Sequence, residues 1–282
     1  MSDSAQKGAM RDTWESAAPG WAKWEEKFSA GLANVTDALL DMADVGPGTR
    51  VVDLACGAGS QSLRAARRVG PSGRIAAIDI SRTMLEHLGE NARRAGLSNI
   101  DTVECAAEDL DAALGRYDAA ICRLGLMLFP SPSRALVAVQ TVLEPNARFA
   151  ALVFTTAAAN PFMARPMQLL LQLAGRAAPL PGQPGIFALG GKGALERVMV
   201  DSGFTDLRTR IARAPLRLSS ASEALGMMQE AFGAYRAVVA DLDEAQKVQA
   251  WAAVAECLKE FETNSGFETE LEFLICAGAK PP

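Results

Sequence analysis

The sequence predicts an α/β chain built on a mostly parallel sheet, and three observations carry that prediction. Short apolar runs alternate with amphipathic stretches from Arg50 to about Phe154, which is the rhythm of repeated βαβ units. The run Val51-Val52-Asp53-Leu54-Ala55 feeds directly into Cys56-Gly57-Ala58-Gly59, so a strand ends in a glycine turn. Tyr117 to Cys122 is close to continuously apolar, as in a strand covered on both faces.

The elements follow in order. Gly46-Pro47-Gly48 is a turn that launches the first strand, Arg50 to Ala55. Ser60 to Val69 reads as a helix closed by Gly70-Pro71. Arg74 to Asp79 is the second strand, and Ser81 is placed to cap a helix over Arg82 to Ala95 that stops at Gly96. Ile100 to Cys105 and Tyr117 to Cys122 are the third and fourth strands. Ser133 to Leu143 is helical, and Phe149 to Phe154 is the fifth strand. Beyond it the rhythm changes. Asn160 to Gly193 is rich in Pro, Gly, Met, Leu and Phe, and reads as an apolar helix plus loop at the carboxyl edge of the sheet. A helix over Ala194 to Ser202, ended by Gly203, leads to a strand from about Thr205 to Arg213. Ser219 to about Phe261 reads as two helical stretches divided near Asp241-Leu242-Asp243-Glu244, and Leu271 to Ala277 is the final strand. The expected organisation is one domain over 1–282, with an N-terminal helical arm over 1–45 and lid insertions over 155–193 and 215–268.

Composition narrows the function classes. With 282 residues, 49% of them hydrophobic, the chain can bury one large core. A net charge of -5 argues against a nucleic-acid partner held by its phosphates, and Arg64-Arg67-Arg68 and Arg93-Arg94 read as solvated helix faces. Met1 to Arg11 lacks the apolar core of a secretory signal, and no apolar run reaches the roughly 18–20 residues that span a bilayer. The five cysteines are dispersed with no Cys-x-x-Cys pair; Cys122 and Cys276 read as buried thiols, and a cytoplasmic location is expected.

The glycine turn points to a particular ligand chemistry. The third glycine of a dinucleotide fingerprint would fall at Ser62, so the turn that cradles a pyrophosphate is incomplete. Asp53, just ahead of the glycines, repels a pyrophosphate and favours a cation. S-adenosylmethionine combines an adenosine, an ammonium and a sulfonium with no phosphate. A nicotinamide-dependent oxidoreductase is the weaker alternative, because neither Tyr117 nor Tyr235 is followed four residues on by Lys. A donor-binding protein repurposed for a reaction without methyl transfer is the other alternative.

Several segments together resemble a known family. Asp53 to Gly59, Asp79-Ile80-Ser81 after the second strand and Met84-Leu85 resemble the class I S-adenosylmethionine-dependent methyltransferases. Cys122-Arg123-Leu124-Gly125-Leu126-Met127-Leu128-Phe129-Pro130, with Leu143-Glu144-Pro145, is similar to the ubiquinone/menaquinone-biosynthesis-like branch that modifies small molecules. Pro184 to Leu189 and Asp201-Ser202-Gly203-Phe204 extend the similarity. The resemblance implies a Rossmann-like, seven-stranded sheet, mostly parallel with the last strand antiparallel, helices on both faces and a helical lid. It implies S-adenosylmethionine as cofactor. Gly57 and Gly59 would let the backbone approach the donor's methionine part, with Asp53 near its ammonium and Asp79 on the ribose hydroxyls. Ala55 and Ile80 are expected to contact the cofactor, and Met84 packs either on the adenine or in the core. The family's adenine-reading acid falls on Ala106 here, so either Glu108 takes that role or the backbone of Ala107 and Glu108 does. Trp14, Trp21 and Trp24 resemble the family's flap, where aromatic faces add about 1 kcal/mol of cation–π attraction to a sulfonium.

The residues after the fourth strand face the acceptor. They are Arg123, Leu124 and Gly125, without the Asp/Asn-Pro-Pro-aromatic motif of nitrogen methylation and without a metal-binding acid; with a single histidine, no protein-bound metal is expected. Arg123 orients the donor's carboxylate, binds an acidic substrate, or pairs with a helix acid. His87 lies mid-helix and reads as a packing or surface residue, so a base would come from the arm or lid: Glu25, Glu230 or Tyr235. Leu124, Met127, Phe162, Phe187 and Phe232 are candidate walls of an adaptable apolar pocket, although a lid core would look the same. The expectation is in-line methyl transfer to O or C of a small, mostly apolar metabolite, with no nucleic-acid partner, no membrane span and a possible homodimer through the apolar arm and lid.

Overall fold

The computed structural model describes residues 3–179, 183–264 and 266–282. Met1, Ser2, Leu180 to Gly182 and Ser265, which fall inside the expected arm and lid ranges, lie outside the described residues. The sheet contains β1 (Arg50–Leu54), β2 (Arg74–Asp79), β3 (Ile100–Glu104), β4 (Tyr117–Arg123), β5 (Leu143–Phe154), β6 (Thr205–Leu218), a two-residue β7 (Glu262–Thr263) and β8 (Gly266–Ala279). Their order is β3-β2-β1-β4-β5-β8-β6, with β7 paired to the start of β8. β3, β2, β1, β4 and β5 run parallel, and β8 lies antiparallel between β5 and β6. This is the Rossmann-like arrangement the sequence predicts. Chain order reverses between β1 and β4, which puts a crevice beyond the carboxyl ends of those two strands.

The inner parallel strands β1, β2 and β4 are apolar on both faces because helices cover both: Val51, Val52, Leu54, Ile75, Ile78, Ala120 and Ile121 are all fully buried. The connecting helices are α3 (Ser60–Val69), α4 (Arg82–Arg94), α5 (Pro132–Val142) and α7 (Ala194–Asp201). Ser81 caps α4 through its Oγ, which accepts from Met84 N at 3.1 Å. The N-terminal arm is α1 (Asp3–Gly31) and α2 (Ala33–Met42); the lid contains α6 (Pro161–Leu173), α8 (Ala221–Glu230), α9 (Gly233–Val239) and α10 (Glu244–Leu258). Among the described residues no helix is long and apolar enough to cross a membrane.

Four sequence expectations need correction. Residues 219–261 hold three helices, because a break at Ala231-Phe232 separates α8 from α9. β6 and β8 run well past Arg213 and Leu271 and pair with each other from Leu218↔Phe267 to Thr205↔Ala279. Pro215 disguised that continuation, yet an edge strand tolerates proline, and Ala214, Leu216 and Leu218 keep the period-two burial of a strand. β5 begins six residues early, at Leu143, and Asn146 takes φ 64° within it. Arg64 and Arg68 are not simply solvated; they pair with Asp37 and Asp41 and fasten α3 to α2.

Candidate active site at the switch point of the sheet

A cavity opens at the carboxyl ends of β1, β2 and β4, roofed by α1. Its floor is strained backbone. Ala55, after β1, sits at φ 52°, and Leu124, after β4, at φ 64°, both unusual for residues with a side chain. Gly125 is required beside them: a Cβ there would lie 2.5 Å from Ala55 Cβ. Gly57 and Gly59 turn the chain at φ 56° and 98°, and a Cβ on Gly57 would meet no protein atom within 4 Å.

Asp79 ends β2 and reaches this turn. Its Oδ2 accepts from Gly57 N at 2.9 Å and its Oδ1 from Ser81 N at 2.9 Å. Burial raises its pKa, and those backbone N–H groups oppose the rise. Each carboxylate oxygen has a further lone pair to offer a ligand at the cavity wall.

α1 presents Met10, Trp14, Trp21, Glu25, Phe28 and Ser29 to the cavity, at the three- and four-residue steps of one helical face. Arg11 Nε donates to Ile80 O at 3.2 Å and Lys7 Nζ to Asp109 Oδ1 at 2.5 Å, which seats the helix across the end of the sheet. Glu25 Oε1 accepts from Ser60 N at 2.7 Å and Oε2 from Asn91 Nδ2 at 3.0 Å; burial raises its pKa, against the lowering effects of Ser60 N–H and Arg123. Arg123 donates to Thr36 Oγ1 at 3.1 Å and to Ser60 Oγ. Burial lowers its pKa, while the charges of Asp53 and Glu25 support its protonation.

The segment that builds the floor of this cavity is similar to known proteins. Residues 46–173 match a family described as "Methyltransferase domain". Among curated proteins, the chain is 31% identical over 147 residues to a 2-phytyl-1,4-naphtoquinone methyltransferase of Nostoc, covering 51% of this chain and 64% of that one. It is 32% identical over 157 residues to the ubiquinone/menaquinone biosynthesis C-methyltransferase UbiE of Bordetella parapertussis, covering 55% and 60%. Residues 46–173, less than half of the chain, are similar to a methyltransferase domain. The chain spans less than two thirds of the length of these relatives. Solved structures share the fold: the YcgJ protein of Bacillus subtilis (TM-score 0.57, 14% identity, 89% of this chain and 99% of that one) and the cyclase SpnF (0.54, 20%, 88% and 80%). A Haemonchus contortus phosphoethanolamine N-methyltransferase 2 bound to S-adenosyl-L-methionine is similar too (0.52, 14%, 88% and 53%).

Unpaired polar atoms gather around this cavity. Among the described residues the buried side-chain polar atoms without a hydrogen-bond partner are Trp21 Nε1, Ser29 Oγ, Glu108 Oε1 and Glu196 Oε2. The first three belong to residues of the cavity wall. An unpaired buried polar group is costly, so three around one cavity mark where a polar ligand completes the structure.

The structure divides the sequence candidates into two sets. Trp14, Trp21, Glu25, Ala55, Gly57, Asp79, Ile80, Met84, Ala107, Glu108, Arg123 and Leu124 all line the cavity. Asp53 does not reach it. That side chain is 0% exposed beneath the turn, where it accepts from Ser62 Oγ and Gln61 Nε2, and burial pushes its pKa up to about 7. Gly59 is off the wall as well; it initiates α3 against Leu88.

Neither Tyr235 nor Glu230 faces the cavity. The Tyr235 hydroxyl donates to Met163 O at 2.6 Å inside the lid, where burial raises its pKa further. Glu230 accepts from Lys23 and from Trp24 Nε1 near the surface, which lowers its pKa. Phe162, Phe187 and Phe232 build the lid core instead of the cavity wall: Phe162 packs on Phe261 and Phe267, Phe187 on Phe154, and Phe232 on Trp21, Phe28 and Tyr235; Met127 is buried just after β4, also off the wall. Large apolar side chains on lid helices satisfy burial against one another first. Sequence reasoning missed Phe28, Ser29, Ser60 and Gln61 on the wall. Phe28 and Ser29 were findable, since they lie seven and eight residues past Trp21 on the same helical face.

Proposed function

We propose that this protein transfers a methyl group from S-adenosylmethionine to O or C of a small, mostly apolar acceptor. The observation that carries the reading is Asp79: a buried carboxylate clamped by Gly57 N–H and Ser81 N–H, facing a cavity whose remaining wall carries unpaired polar atoms. Asp79 would accept from the ribose hydroxyls, the unpaired Glu108 oxygen and the Ala107 backbone would read the adenine edge, and Gly57 would admit the methionine chain. When bound, the donor supplies an electrophilic methyl on a sulfonium, itself a good leaving group.

The chain's own residues then position the acceptor and exclude water. Leu124 and Gly125 form the floor where the acceptor would approach, and Trp21 and Phe28 close the apolar roof. The curated relatives are named for a naphthoquinone and for ubiquinone/menaquinone biosynthesis, which supports an apolar ring as acceptor. The net charge of -5 supports a small molecule over nucleic acid. Of the three base candidates only Glu25 faces the cavity, and it does so beside the turn between β1 and α3.

The test has two stages. Calorimetric titration with S-adenosylhomocysteine should show one site per chain. Incubation with methyl-deuterated S-adenosylmethionine and fractionated cell extract should then place label in a small apolar product. Binding without labelled product favours a non-transfer reaction, and no binding defeats the reading.

A further inference from the structure

Three part-buried side chains, Trp21, Glu25 and Asn91, converge near one short stretch of backbone, Ala58 to Ser60. Trp21 of α1 packs against the small cluster of Ala18, Ala58 and Met84, and its Nε1–H is buried with no acceptor. Glu25, one helical turn further along the same face, holds Ser60 N at 2.7 Å and Asn91 Nδ2 at 3.0 Å; the same Asn91 nitrogen donates to Ala58 O at 3.1 Å. The arm therefore brings to the glycine turn one group that can only donate a hydrogen bond and one that, when ionised, can only accept.

A donor-only indole and a carboxylate, one turn apart, match a zwitterion. Asp53, the acid that the turn's sequence offers for a cation, is sealed beneath the backbone; of the two carboxylates on the cavity side of this turn, Asp79 holds Gly57 N and Glu25 holds Ser60 N at its α3 end. The nearby Arg123 guanidinium bonds to Ser60 Oγ and Thr36 Oγ1. Desolvation raises the Glu25 pKa, as befits a buried acid poised for a cation.

We infer that the arm reads the α-amino-acid end of the donor, Glu25 taking its ammonium and Trp21 Nε1–H its carboxylate. The inference rests on the methyl-donor reading and deepens it. Recognition of that end is then divided between two parts of the chain, and the site is complete only with α1 seated.

The test compares two ligands that share adenosine and sulfur and differ in the amino-acid group, S-adenosylhomocysteine and 5′-methylthioadenosine. Both are titrated calorimetrically into the full-length protein, Glu25→Gln and Trp21→Phe. Loss of one charge-assisted contact should weaken S-adenosylhomocysteine by about 10–100-fold in each variant. Methylthioadenosine affinity should stay within about twofold of the parent. Unchanged S-adenosylhomocysteine binding in both variants overturns the inference and leaves the methyl-donor reading standing. Equal weakening of both ligands also overturns it, because that reports a displaced arm. If neither ligand binds the parent protein, both readings fall together.

Discussion

Asp79 Oδ2 accepts a hydrogen bond from Gly57 N at 2.9 Å, so the acid that ends β2 is bound to the turn that follows β1. The contact explains how the glycine turn keeps its shape and why the carboxylate holds one orientation at the cavity. Asp79→Ala should leave Gly57 N–H and Ser81 N–H unpaired and cost about 2–4 kcal/mol of stability, read by urea denaturation. Asp79→Asn keeps an acceptor but loses the charge, and should weaken S-adenosylhomocysteine by about tenfold or more. Parent-like affinity in Asp79→Asn would move the ribose elsewhere.

Two glycines of the site should respond to alanine in opposite ways. At Gly57, φ is 56° and the added Cβ points into open space, so Gly57→Ala should cost only about 1–2 kcal/mol in folding. The methyl would occupy ligand space, and S-adenosylhomocysteine binding should drop below detection. At Gly125 the Cβ would sit 2.5 Å from Ala55 Cβ, so Gly125→Ala should damage the fold itself. Thermal midpoints and titrations on the two variants separate these effects.

The arm docks through a second close approach. A Cβ on Gly20 would lie 1.9 Å from Glu230 O, so α1 rests backbone-to-backbone on α8 at that point. Gly20→Ala should lift α1, cost about 1–3 kcal/mol and expose the arm to limited proteolysis. Titration should show weaker binding of both S-adenosylhomocysteine and methylthioadenosine, in contrast to Glu25→Gln. A parent-like proteolysis pattern would contradict the packing.

Asp53 gives the protein a pH signature. Burial lifts its folded-state pKa from 3.8 to about 7, so between those values the folded protein holds a proton that the unfolded chain has released. Stability from this group therefore falls as pH rises through that window, by at most about 1.4 kcal/mol per pH unit, and levels off above it. Asp53→Asn removes the titration. Its stability relative to the parent should grow from pH 4 to pH 7, read from urea midpoints, and a constant difference across that range would show that Asp53 is not the titrating group.

The core of the fold was legible because it depends on local pattern. Val51 to Gly59, Arg74 to Ser81 and Tyr117 to Cys122 each show a strand and its exit within a few residues, and the capping of α4 by Ser81 follows from side-chain chemistry alone. The far edge was harder. Pro215 reads as a strand stop unless the strand is known to lie on the sheet's edge, and the helix break at Ala231-Phe232 carries no turn residue of its own.

The site shows the same division. Sequence by itself determined the strand-end acid Asp79, the turn at Gly57 and the aromatic face of the arm, since spacing along one strand or helix fixes which side chains share a side. Only the tertiary structure decided which of two acids faces the cavity. Asp53 and Glu25 are both carboxylates near the same turn, yet strand pairing seals one at 0% exposure beneath Ser62 while α1 lowers the other into the cavity. It likewise withdrew Tyr235, Phe162 and Phe187 into the lid core, because burial between helices is a property of three-dimensional packing that residue type and periodicity do not encode.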